Sequence, residues 1–170
     1  GQGTVGLEVL QQAPVTPDLI LTACSGGGLT AGVASAVRSL ADDITIMTVE
    51  PEHHDDHARS FKQGQRVRNT EAPTSICDAL LAPEPGELTW AVNERLVAGG
   101  LTVTDQQVKA AIRFAFQELK LVVEPGGAAA LAAVLGNNDL KGKNVVAILS
   151  GGNIDPSLFS SLLSVDTAPL

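Results

Sequence analysis

Asp18-Leu19-Ile20-Leu21-Thr22-Ala23-Cys24 runs straight into Ser25-Gly26-Gly27-Gly28-Leu29, and the order of those two pieces decides the fold. A short apolar run bounded by turn formers reads as a buried strand. The glycines after it open a helical pattern in which Leu29, Val33, Val37 and Leu40 recur at helical spacing. A strand that passes through a glycine turn into a helix start makes an anion cradle, because free N–H groups and the helix dipole face whatever sits above the turn. A plain tight turn needs one or two glycines rather than three in a row, so phosphate binding is the stronger reading of Ser25 to Gly28.

The alternation extends in both directions. Ile44 to Val49 is a β-branched strand ending at Glu50-Pro51, and Leu101-Thr102-Val103 is a short strand leading to an N-cap at Thr104 or Asp105. Lys143 to Leu149 is a buried strand closed by Ser150-Gly151-Gly152-Asn153. Helices are expected at Leu7 to Gln12 (ended by Pro14 and Pro17), at Gly86 to Val97, along the face Val108, Ala111, Ile112, Ala115 and Leu119, and at Gly126 to Leu135. From His53 to Pro85 the pattern is weak, and irregular site loops are expected there. Together these elements imply one α/β domain over residues 1–170, an open, largely parallel twisted sheet with helices on both faces. In such sheets ligands bind beyond the carboxyl ends of the strands, where Ser25 to Gly28, Glu50 to Asp56 and Ser150 to Asn153 all fall.

Composition narrows the function classes. The chain has 170 residues, a net charge of −8, 44% hydrophobic and 18% charged residues, which suits a folded core and not a disordered chain. The acidic balance argues against a nucleic-acid partner. No apolar run reaches the roughly 18 residues of a membrane span. Two cysteines are too few for a disulfide scaffold, so a reducing, cytoplasmic compartment is expected. The chain begins Gly1-Gln2-Gly3-Thr4 and not with Met, and is expected to be a piece of a longer protein.

Three further stretches have two readings each. Gly1 to Gly6 matches G-x-G-x-x-G, but the dinucleotide fingerprint needs a strand in front of it, and a helix-start turn is the better reading. Glu50-Pro51-Glu52-His53-His54-Asp55-Asp56-His57 is a dense set of ligand-type residues: carboxylates and carbonyls suit a hard cation, histidines a transition metal, and the plain reading is a solvated acidic loop. Lys62, after Ser60-Phe61, looks like a Schiff-base lysine but sits in a charged stretch from Arg59 to Arg68 and reads as a solvated face.

Six segments in this order resemble the fold-type II pyridoxal-phosphate enzymes, in particular the threonine/serine dehydratase (ammonia-lyase) and serine racemase group. They are Gly1 to Thr4, Ser25 to Leu29, Val49-Glu50-Pro51, Asp78 within Ile76-Cys77-Asp78, Val123 to Ala128 around Glu124, and Leu149 to Asn153. The resemblance implies that Ser25, Gly26, Gly27, Gly28 and Leu29 hold the phosphate of pyridoxal 5'-phosphate, that Ser150 hydrogen-bonds the ring nitrogen, and that Glu124 belongs to the cofactor site. It implies a divalent cation (Mg²⁺, Mn²⁺ or Ca²⁺) on Glu50, the carbonyl of His54, and Asp56. A hydroxyl at the ring nitrogen leaves the ring largely neutral, which favours β-elimination of threonine, serine or 3-hydroxyaspartate to a 2-oxo acid and ammonia. An amino-acid racemase of the same fold is the alternative, and a non-catalytic phosphate- or nucleotide-binding module is the rival from another class. Departures from the family pattern are Ser25 where glycine is usual and Ala79 after Asp78. The family's Schiff-base lysine precedes the position of Gly1, so no catalytic residue is expected in this segment. The expected partners are a small hydroxyamino acid, the preceding part of the same enzyme and a second copy in a homodimer. With little chain after Asn153, a catabolic lyase without a regulatory domain is expected.

Overall fold

Successive strand side chains point to opposite faces of a sheet, and in this protein each face carries an apolar cluster. The computed structural model describes residues 1–70 and 74–164. Its strands are β1 (Leu19–Ala23), β2 (Thr45–Pro51), β3 (Gly99–Val103) and β4 (Val145–Ala147), all parallel, in the order β3-β2-β1-β4. Ile20 stands opposite Ile46 on one side and Val146 on the other, and Leu21 opposite Met47 and Ala147. The helices are α1 (Gly3–Gln12), α2 (Gly28–Arg38), α3 (Asp56–Gln63), α4 (Glu87–Leu96), α5 (Asp105–Phe114), α6 (Pro125–Gly136) and α7 (Pro156–Leu163).

Ile20, Ile46 and Ile148 face Val33, Ala34 and Val37 of α2, with Val5 and Val9 of α1 behind them. Leu19, Leu21, Ala23, Val49 and Val103 face the other way, onto α5, α6 and Leu162 of α7. Each such large side chain contributes about 1.5–3 kcal/mol when fully buried, so the two apolar faces together fix the layer order helix–sheet–helix. A helix apolar all round has to be interior, and α6 is buried without a break from Pro125 to Ala133. Thr104 proves to be the N-cap of α5: its hydroxyl accepts from Gln107 N at 3.1 Å, and its own N–H donates to Gln107 Oε1 at 2.8 Å.

Two expectations change. The strand at Lys143 to Leu149 is shorter than its apolar run, because only Val145 to Ala147 pair in the sheet, although Ile148 N still donates to Leu21 O at 3.1 Å. The stretch from His53 onward is not all irregular, since it contains α3. Among the described residues no helix is long and apolar enough to cross a membrane.

The G-x-G-x-x-G look-alike is a helix-packing device. A Cβ on Gly6 would stand 2.9 Å from Val33 O and 3.2 Å from the side chains of Ala36 and Val37, so α1 and α2 touch backbone to backbone. Gly6→Val is expected to destabilise by about 1–3 kcal/mol, read as a lower melting temperature. Gly1→Ala, which adds a methyl with nothing within 4 Å, leaves the melting temperature unchanged.

Candidate cofactor site

The strand order contains a switch. From β1 the chain moves through α2 to β2 and on to β3 at one edge, then returns by α5 and α6 to place β4 on the other side of β1. Crevices open at the carboxyl ends of strands flanking such a reversal. A cavity of about 280 Å³ lies there, lined by Gln2, Ser25 to Leu29, Ala79, Leu80 and Ser150. The loop after β1 and the hydroxyl after β4, 125 residues apart in sequence, thus share one hollow. A larger hollow of about 770 Å³ lies at the amino ends of the strands beside Asp18, Asp43 and Lys143, and none of the expected site residues lines it.

Gly27 is the N-cap of α2, with φ of 90°, a left-handed conformation that a side chain resists. The space behind it is also full: a Cβ there would lie 2.7 Å from Asn93 Nδ2, 2.8 Å from His57 Nε2 and 3.0 Å from Thr89 Oγ1. Gly26 and Gly28 have open space where a Cβ would point. Ser25 Oγ accepts from Ala82 N at 3.3 Å, which ties the loop to the segment before α4.

Glu124 does something other than line the cavity. Its carboxylate accepts from Asn153 N at 2.9 Å, and its own N–H donates to Gly151 O at 3.1 Å. It clamps the turn that carries Ser150, and a Cβ on Gly151 would strike the Glu124 carboxylate at 2.5 Å. The resemblance places Glu124 in the cofactor site; in the structure its carboxylate supports the turn that follows Ser150.

Glu50 and Asp56 do come together, and His57 joins them: one ligand-type atom from each lies within 4.8 Å of the others, all three residues buried. Glu50, at the end of β2, accepts from His57 N and Ala58 N, each at 2.8 Å, and so caps the start of α3. His57 Nδ1 stands 3.5 Å from a carboxylate oxygen of Glu50 and of Asp56, ion-pair distances longer than tight hydrogen bonds. Burial opposes charge on this imidazole, but Asp56, Cys24 and Glu50 beside it outweigh burial and push its pKa up to about 11. Burial raises the carboxyl of Glu50 and the thiol of Cys24. The sequence reading counted His57 within the polar run but gave it no role, as it also missed Gln2, Thr89 and Asn93. Only the recurrence of polar Thr89 and Asn93 four residues apart, on a helix with apolar neighbours, offered a signal.

A family model described as pyridoxal-phosphate dependent enzyme matches residues 1–151. The chain belongs to that family. Within it the chain falls in the fold-type II group of threonine ammonia-lyases and serine racemases. It is 32% identical to the L-threonine ammonia-lyase of Thermotoga maritima over 96% of this chain and 40% of that protein, and 36% identical to the serine racemase of Mus musculus over 91% of this chain and 46% of that protein. The crystal structure of a T.th. threonine deaminase superposes with a TM-score of 0.87 at 40% identity, covering 91% of this chain and 53% of that one. The chain spans about half the length of the curated relatives it matches.

The cavity fits the phosphate end of pyridoxal phosphate: the glycine loop leaves open space at Gly26 and Gly28, and the first N–H groups of α2 have no intrahelical acceptor. The carboxylate group fits a hard cation poorly. Such ions take oxygen ligands at about 2.0–2.6 Å, whereas both Glu50 oxygens already hold backbone amides and the His57 imidazole stands against both carboxylates. The divalent-cation expectation therefore rests on the resemblance alone. Chelation is expected to leave the melting temperature unchanged; a loss that Mg²⁺ restores would put a cation on Glu50 and Asp56.

His57→Ala leaves two buried carboxylates facing each other and is expected to cost about 3–5 kcal/mol in denaturant unfolding. Because the folded imidazole titrates above its ordinary value near 6.5, its contribution is complete below pH about 6.5 and is lost as pH rises through about 11. Unfolding midpoints measured across that window should fall in the parent and fall less in His57→Ala.

Proposed function

We propose that this chain forms the phosphate- and ring-holding side of a pyridoxal-phosphate-dependent ammonia-lyase acting on a small hydroxyamino acid of the threonine/serine type. The observation that carries the reading is the single cavity at the strand switch, which joins Ser25 to Leu29 with Ser150. Pyridoxal phosphate, when bound, supplies an electron sink for bonds at Cα of an amino acid. The residues of this chain bind and orient. The amides of Gly27, Gly28 and Leu29 at the N-terminus of α2 hold the phosphate dianion, and the Ser25 hydroxyl, held by Ala82 N, keeps its proton free to donate to it. Ser150, steadied by the Glu124 clamp on the turn that follows it, offers a neutral hydroxyl to the ring nitrogen. A hydroxyl does not stabilise a protonated ring as a carboxylate would, and this favours elimination of a β-hydroxyl over reactions that need the strongest electron withdrawal.

The relatives named above include both a lyase and a racemase, and racemisation is the second reading. The remaining part of the enzyme, a second copy of the chain and the amino acid are the partners of this proposal. Two buried free thiols, Cys24 and Cys77, suit a reducing, cytoplasmic setting.

The full-length protein, supplied with the cofactor, is expected to show an absorbance band near the visible edge that borohydride abolishes, and to release ammonia and a 2-oxo acid from L-threonine or L-serine. D-serine as the main product would transfer the assignment to racemisation. Absence of the band, with anion binding retained, would leave a phosphate-binding module in place of an enzyme.

A further inference from the structure

In a trans peptide the carbonyl oxygen of one residue and the N–H of the next point to opposite sides. Whatever holds the carbonyls of Gly26 and Gly27 therefore also aims the N–H groups of Gly27 and Gly28. Both carbonyls are held, and from α4. Gly26 O accepts from Gly86 N at 3.2 Å and has Thr89 Oγ1 within hydrogen-bond reach; that hydroxyl also lies 3.0 Å from Gly86 O. Gly27 O accepts from Ala31 N at 2.9 Å, within α2, and from Asn93 Nδ2 at 3.2 Å.

Asn93 is 0% exposed and Thr89 lies one helical turn before it on the same face. Burying a carboxamide costs free energy unless it is hydrogen-bonded, and an apolar residue would pack there without that cost. Its Nδ2 instead reaches a loop 66 residues away in sequence. The same two side chains crowd the place where a Cβ on Gly27 would stand, so they impose glycine at that position as well as gripping its carbonyl.

We propose that Thr89 and Asn93 are positioning residues for the cofactor phosphate: from α4 they fix the carbonyl side of the Gly26–Gly28 loop, which turns its N–H side toward the cavity before any anion arrives. They touch neither cofactor nor substrate in this role. The inference rests on the pyridoxal-phosphate reading and assigns the phosphate grip to a helix outside the glycine motif.

The test uses the full-length protein, titrated with pyridoxal phosphate and separately with pyridoxal, which lacks the phosphate. Thr89→Val and Asn93→Leu keep side-chain volume and remove the donor, and Thr89→Ser restores the hydroxyl. Each donor-less variant is expected to bind pyridoxal phosphate about tenfold more weakly, to bind pyridoxal as the parent does, and to shift the ³¹P resonance of the bound phosphate. Thr89→Ser should return toward the parent value. Equal weakening for both ligands, or unchanged affinity for pyridoxal phosphate, would overturn the proposal. Should Asn93→Leu fail to fold by thermal melting, the Thr89→Val and Thr89→Ser pair decides alone. A parent protein that takes up no pyridoxal phosphate would overturn the cofactor reading itself, a result distinct from a parent that binds and variants that do not differ from it.

Discussion

A carboxylate with no access to solvent, Glu50 at the end of β2, is the constraint around which the site side of the molecule is arranged. Left alone in the interior it would be untenable. It is satisfied by two backbone amides at the start of α3, and that requirement fixes where α3 begins and in which direction it runs. The same placement seats His57 between Glu50 and Asp56, with its Nε2 under the position where a Gly27 side chain would be. Trp90 of α4 packs edge-on against His57 at 6.4 Å between ring centroids, and at a tilt against Phe61 of α3 at 5.2 Å. One buried charge therefore couples the end of β2, the start of α3, the body of α4 and the loop after β1.

Most of the framework was legible in the sequence because it is written in hydrophobic periodicity. Leu19 to Ala23, Ile44 to Val49 and the alanine-rich run after Pro125 carry strand or buried-helix signals that tertiary contacts only reinforce. The helix α3 was not legible for the opposite reason. Its buried residues include Asp56, His57 and Ser60, so the face turned inward is polar and has no apolar stripe. Its first turn is held by the Glu50 cap and the Glu50–His57 pair, which exist only once β2 is in place. Ser25 to Leu29 were legible because three successive glycines between a strand and a helix exceed what a plain turn needs, whereas Ser150 was singled out through the family resemblance. For Glu124 the motif named the residue but not its contacts, and the structure adds that its carboxylate holds the turn after Ser150.

The two faces of the sheet divide the labour. The α5–α6 face is close-packed and apolar, with small residues such as Ala128, Ala129 and Ala130 letting α6 lie close to the strands. The α2–α4 face carries the polar interior: the Thr22–Thr30 hydroxyl pair at 2.7 Å, Asn93, and the Glu50–His57–Asp56 group. Buried polar networks specify one arrangement because half-satisfied alternatives are costly. Orientation of the loop is thus assigned to the face that can enforce it, and cohesion to the face that can be dense.

Anchoring the loop carbonyls to α4 also determines when the disorder of three successive glycines is removed. Glycine loses more conformational freedom on ordering than any other residue, and here that loss belongs to folding, since the bonds from Gly86 and Asn93 form without a ligand. Under the proposed cofactor reading, a phosphate would meet amides already held in place, which lowers the ordering cost of association. The arrangement has a kinetic counterpart. Local opening of α4 would free the Gly26 carbonyl and leave the Gly27 carbonyl to Ala31 N alone, so the loop's order is tied to the local stability of that helix.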